Sequence, residues 1–90
     1  MEKVVITVTG MDRTGIVANI SNALAQDNVN ILDIRQSILD DLFTMIMLVD
    51  ISTSKKGFSE IKKHLEEVGE KLGVKVIVQH ENIFKYMHRI

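Results

Sequence analysis

Ninety residues with 46% apolar and 26% charged side chains suit one soluble globular domain and leave little room for a second. A formal net charge of −1 gives no electrostatic case for nucleic acid or for an anionic membrane surface, and the lack of cysteine excludes disulfides, thiolate metal sites and cysteine nucleophiles. The opening Met1-Glu2-Lys3 leads into a strand-like run too short and too polar for a signal peptide or a membrane span, so a cytoplasmic address is the expectation.

Val4 to Thr9 is β-branched and bounded by Gly10, which predicts a first strand. Gly10-Met11-Asp12-Arg13-Thr14-Gly15 then forms a loop feeding a helix over Ile16 to Gln26. Ile16, Val17, Ile20, Ala23 and Leu24 lie on one face of that helix, with Asn19, Asn22 and Gln26 opposite. Thr14 or Asp12 is expected as its N-cap. Asp27-Asn28 breaks the helix. Asn30 to Leu39 and Leu42 to Ile51 predict a hairpin turning at Asp40-Asp41, with Leu32, Ile34 and Ile38 on one face of its first strand. A polar connection, Ser52 to Gly57, precedes a second helix on which Phe58, Ile61, Leu65, Val68 and Leu72 share a face. Glu67 and Lys71 are spaced for an exposed i, i+4 pair, and Gly73 is placed to end the helix. Val74 to Gln79 predicts the last strand, with Val74, Val76 and Val78 facing in. The tail is amphipathic, and Ile83, Phe84, Met87 and Ile90 are expected on one side of a short C-terminal helix that needs something to pack on.

The order β-α-β-β-α-β with right-handed crossovers predicts an α+β, ferredoxin-like fold: a four-stranded antiparallel sheet with two helices on one face, plus the short C-terminal helix. The core is expected over about residues 3–80 and the tail over about 81–90. In the third strand Phe43, Met45, Met47, Val49 and Ile51 line one side, while Ile46 and Leu48 make the other side apolar as well. A strand wet on one face alternates more cleanly. Either the tail helix covers that second face or another subunit does, and a homodimer or higher homo-oligomer is expected.

The fold hosts many functions, and the residues remove several of them. The first strand has no aromatic residue and the third only Phe43, so the stacking platform of an RNA-recognition motif is absent. The first loop lacks the cysteine pair of a copper chaperone. Gly15 is followed by Ile16, so the Lys and hydroxyl of a P-loop are missing. Arg13 in an anion-friendly loop fits acyl phosphate hydrolysis, but the hairpin offers no convincing Asn to hold a water, and no enzyme activity or cofactor is expected. His80, Glu81 and His88 match no standard metal spacing. His64 and Lys55-Lys56 read as solvated, Asp33 and Arg35 as partners across the hairpin or at a subunit contact, and Asp12 as either an N-cap or a ligand contact. A Gly-bracketed loop at a helix N-terminus is a natural place for an anionic group, because the first amides have no intrahelical partner.

The stretch Val4 to Val17, containing Asp12-Arg13-Thr14-Gly15-Ile16, followed by Val29-Asn30-Ile31, resembles the ACT domain family. The family's loop has the form D-R-x-G-hydrophobic, and its second strand opens on x-V-N-I. The resemblance spans the chain, and the tail from His80 to Ile90 is similar to small stand-alone ACT proteins of bacteria and archaea, more loosely to the glycine-cleavage repressor. It implies regulation by a small ligand, usually an amino acid, held at a subunit interface between the first loop and the start of the second strand. Carried across by position, the candidates are Gly10, Asp12, Gly15 and Asn30, with Met11, Arg13, Ile16 and Val17 nearby. Many amino-acid-binding members have Pro where Thr14 stands, and some have a polar side chain where Gly10 stands. Two functions follow. One is a regulatory module that senses an amino acid or similar metabolite and modulates a partner protein. The other is a ligand-free interaction module working through the apolar third strand or the tail.

Overall fold

The computed structural model describes residues 1–12 and 14–87. In chain order the elements are β1 (Lys3–Met11), α1 (Ile16–Gln26), β2 (Asn30–Leu39), β3 (Leu42–Asp50), α2 (Phe58–Leu72), β4 (Lys75–His80) and α3 (Glu81–Met87). The strands form one sheet in the order β2-β3-β1-β4, antiparallel throughout. This is the expected ferredoxin-like arrangement. β1 runs beyond the expected Thr9, because β3 is long enough to pair Gly10 with Phe43 and Met11 with Leu42.

One face of the sheet carries the core. Val4, Ile6 and Val8 of β1 and Phe43, Met45, Met47 and Val49 of β3 meet Ile16, Ile20, Ala23 and Leu24 of α1 and Ile61 and Leu65 of α2. Val74, Val76 and Val78 join them, as their alternation predicts. Both helices end in the same way. Asn28 and Gly73 adopt left-handed conformations. The next residue then donates back into the last turn, Val29 N–H to the Leu24 carbonyl and Val74 N–H to the Gly69 carbonyl, each at 2.9 Å. Val29 and Val74 are both buried, so each cap also directs an apolar side chain into the core.

β2 is an edge strand without a single buried residue. Ile34 and Ile38 lie opposite Met47 and Phe43 on the helix-facing side, as expected. Leu32 does not share that register. A bulge between Ile31 and Asp33 makes it the extra residue, and Ile31 takes the place opposite Val49.

The face turned away from α1 and α2 is half covered. Val5 points there, outside the main core, and is nonetheless only 6% exposed. α3 folds back over β1 and β4 on this side, and Gln79 Nε2 donates to Met87 Sδ at 3.1 Å. Phe84 is half-buried, but Ile83 and Met87 are exposed, so the predicted stripe does not face the sheet as a unit. A seven-residue helix seated on two strands has too little surface beneath it to bury them. Ile90 lies outside the described residues.

The seating of α1 and α2 is open to direct measurement. Ile20→Ala and Leu65→Ala, both at fully buried positions, are each expected to cost about 2–5 kcal/mol in urea unfolding. A cost below about 1 kcal/mol would show that the helix layer is not packed on the sheet as described.

Candidate functional site

The loop after β1 is built tightly against the chain itself. Gly10 faces the helix layer, and a Cβ placed there would meet Val74 Cγ1 at 2.8 Å and Val74 Cα at 3.2 Å. The backbone of β1 passes close to the α2–β4 connection, and only glycine leaves room for it. Met11 turns to the opposite face and is exposed beside its register partner Leu42. Asp12 N–H donates to the Asp41 carbonyl at 2.7 Å, so the loop is tied to the turn between β2 and β3. Arg13 lies outside the described residues.

Gly15, at φ 90°, occupies the N-cap position of α1 in a left-handed conformation that side chains disfavour. Neither Thr14 nor Asp12 caps the helix, contrary to expectation, and no side chain does. The turn into α1 is made by the Gly15 backbone, whose carbonyl accepts from Asn19 N–H at 2.9 Å and Asn19 Nδ2 at 2.7 Å. No side chain caps the first-turn amides, and a helix N-terminus of this kind suits a carboxylate or another anionic group. Ile16 is buried and Val17 packs on the core, so these two bring backbone rather than side chains to the site.

Asn30 is far from this loop within one chain. It opens β2 in the row Asn30–Asp50–Lys3, whereas Gly10 lies in the row Ile38–Phe43–Gly10 at the other end of the sheet. Seven residue steps along β1 separate Lys3 from Gly10, roughly 23 Å at strand spacing. The described loop candidates thus cluster at one end, and Asn30 stands at the other.

A second polar cluster escaped the sequence reading. Asp27, at the C-terminus of α1, has its side chain almost fully buried between Lys56 Nζ at 2.9 Å and His64 Nδ1 at 2.7 Å. His64 and Lys56 are therefore partners of a buried carboxylate rather than solvated side chains. Beside them Asn28 Nδ2 donates to the Thr53 carbonyl at 2.9 Å, and Thr53 Oγ1 donates to the Asn28 carbonyl at 3.0 Å. Burial pushes the Asp27 carboxyl up, but the His64 and Lys56 hydrogen bonds outweigh it and hold the group below its ordinary 3.8. Lys56 is raised by the same bond to Asp27. One signal pointed to this cluster: an acidic residue at the negative end of a helix is unfavourable unless cations meet it.

The remaining polar candidates have local partners. Asp33 and Arg35 pair with each other at 3.5 Å on the exposed strand rather than across the hairpin. His80 Nε2 lies 2.9 Å from Glu2 Oε2, and its ring stacks on Phe58 at 4.1 Å. Lys71 makes no ion pair with Glu67 among the described residues. His88 lies outside them, and no three metal-ligating side chains converge among those described. No described helix is long and apolar enough to cross a membrane.

A family model described as the ACT domain matches residues 2–79. A UPF0237 protein of Methanocaldococcus jannaschii is 67% identical over the full length of both chains. An ACT domain protein from Streptococcus pneumoniae superposes with a TM-score of 0.81 at 40% identity, covering 93% of this chain and 94% of that one. A chain described as a glycine cleavage system transcriptional repressor superposes at 0.75 with 25% identity, over 88% of this chain and 45% of its own.

Two outcomes follow from this geometry. Gly10→Ala forces Val74 to move and is expected to cost about 1–3 kcal/mol in stability, read by urea or thermal unfolding; no loss would mean that the space is not filled. Asp27 is depressed in the folded chain, so its contribution is complete above pH 3.8 and is lost as pH falls through the lower folded value. Asp27→Asn is therefore expected to lower the melting temperature at neutral pH and to flatten its fall in acid. A parallel, undiminished acid slope would place the sensitivity elsewhere.

Proposed function

The chain belongs to the ACT domain family, and on that premise we propose that it is a regulatory module whose small-molecule site is completed by a second copy across the β2 edge. The observation that carries this reading is the separation of Asn30 from the loop. Two β2 edges paired antiparallel about a two-fold axis set Asn30 of one copy beside the Ile38–Leu39 end of the other, next to the N-terminus of its α1. The edge suits such pairing. Its exposed large apolar residues sit at both ends, Ile31 and Leu32 at one and Ile38 and Leu39 at the other, with half-buried Ile34 and the polar Asp33, Arg35, Gln36 and Ser37 between. An antiparallel two-fold pairing lays each apolar end on the other copy's opposite end. An exposed edge of this length otherwise invites indiscriminate pairing.

The ligand class follows from the groups that converge. The uncapped amides at the start of α1, at Ile16 and Val17, take a carboxylate, Asp12 takes an ammonium, and the Asn30 amide of the second copy both donates and accepts. An α-amino acid, or a similar metabolite, carries that pattern. Occupancy then favours the paired state and changes what the module presents to the protein it regulates. The second reading, an interaction module without a ligand, is favoured by the row Leu39–Leu42–Met11. These three are in register across three strands at the hairpin tip, and Leu39 is 75% exposed.

A mixing experiment tests the shared site. Calorimetric titration with single amino acids is expected to find saturable binding that Asp12→Ala and Asn30→Ala each abolish. Co-refolding the two inactive variants restores one intact site per mixed pair, because one copy supplies the native Asp12 loop and the other the native Asn30. Binding by the parent with no restoration on mixing would refute the two-copy site. An absence of binding by the parent across the panel would leave the interaction module.

A further inference from the structure

We propose that the groove between α1 and α2 is a small-molecule site of its own, which takes a compact oxyanion, a carboxylate or phosphate group, between His64 and Lys71. The site uses neither the loop after β1 nor the β2 edge, so it stands or fails separately from the reading above.

α1 and α2 lie side by side, and a groove of about 230 Å³ opens between them. Ala23, Val68 and Leu72 give it apolar walls. Its polar groups come from both helices: Asn22 and Gln26, one turn apart on α1, and His64 and Lys71, two turns apart on α2. The Asn22 and Gln26 carboxamides and the Lys71 ammonium have no side-chain partner among the described residues. Asn19 also lines the groove, but its amide nitrogen is already given to the Gly15 carbonyl. Drug-sized ligands need upward of roughly 300 Å³, so this space suits a group of a few heavy atoms.

The charges select what that group is. Asp27 is ionised and can only accept, so His64 Nδ1, 2.7 Å away, carries a proton. Nε2 is the ring nitrogen left for a ligand, and it has no partner among the described residues. A buried carboxylate behind an imidazole fixes both its tautomer and its orientation. The Asp27 charge does not reach the groove, because Lys56 Nζ balances it at the other carboxylate oxygen, at 2.9 Å. No acidic side chain is among the described residues that line the groove; Glu60 and Glu67 line a neighbouring surface with Lys56, Lys63 and the shared His64. An oxyanion thus meets the Lys71 ammonium, the Nε2–H of the imidazolium and two carboxamide donors. A cation would find no carboxylate, and a neutral ligand would leave Lys71 unmatched.

NMR titration of the full chain at constant ionic strength, with inorganic phosphate and separately with succinate, tests this. The side-chain amides of Asn22 and Gln26 and the His64 ring are expected to shift saturably, and the anion that saturates at lower concentration identifies the preferred group. Lys71→Met is expected to weaken binding about tenfold. His64→Asn is expected to do the same with circular dichroism unchanged, since the new amide still donates to Asp27 and only Nε2 is lost. Lys75→Met on β4, an equal change in net charge, and Asp12→Ala in the loop are expected to leave binding as it is. Shifts that saturate with neither anion, or that Lys75→Met weakens as much as Lys71→Met, overturn the inference. So does loss of phosphate and succinate binding in Asp12→Ala, which would place the anion at the loop.

Discussion

Two helices have to cover one face of a four-stranded sheet, and much else in this molecule depends on how they do it. α2 takes β4, whose Val76 and Val78 are buried, and α1 lies beside α2 and reaches toward β2, with β1 and β3 between supplying most of the core. β2 gains least from this cover. It keeps its hydrogen bonds to β3 but has no buried residue, and its helix-facing Ile38 stays exposed. The outer face receives only a seven-residue helix. The chain therefore satisfies its core on one side and leaves apolar residues exposed on the β2 edge.

The same arrangement accounts for the split candidate site. The two βαβ crossovers make β2 run parallel to β1, with β3 between them. The end of β1 and the beginning of β2 must then lie at opposite ends of the sheet. A motif joining the first loop to Asn30 is continuous in the alignment of elements and discontinuous in one folded chain. In the proposed site the two are reunited by antiparallel edge pairing, a symmetry that reverses strand direction.

Elements with a strong period were legible in the sequence. Ile61 and Leu65 at helical spacing and Val74, Val76 and Val78 at strand spacing fall where their alternation puts them. The inward row of β3 does the same. What escaped was set by contacts distant in sequence. Gly10 looked like a residue that admits a ligand, yet its missing Cβ accommodates Val74, far along the chain. The bulge at Leu32 is an insertion relative to β3 and leaves no mark in β2 alone. Thr14 and Asp12 had the right chemistry for a cap, but Gly15 already turns the backbone, and its carbonyl is held by Asn19. His64 and Lys56 read as solvated because their own sequence neighbours do not reveal the buried Asp27 beneath them, whose one signal lies far off at the end of α1.

That buried carboxylate bears on the candidate site through the chain that links them. Asp27 is followed by Asn28, whose backbone and side chain are both clasped by Thr53, then by buried Val29, then by Asn30. Each successive residue up to Asn30 is anchored to the α2 side of the molecule or to the core. Asn30 itself is exposed. A polar side chain at the first position of an unburied edge strand would ordinarily sample many orientations, and ordering it on binding would cost conformational entropy. With its three predecessors fixed, most of the backbone part of that cost is already met in folding, and only the side-chain rotamers remain to be chosen. In the proposed site the ion pair at the end of α1 thus acts beyond local stability: it helps hold the exposed Asn30 amide at a set height on the edge.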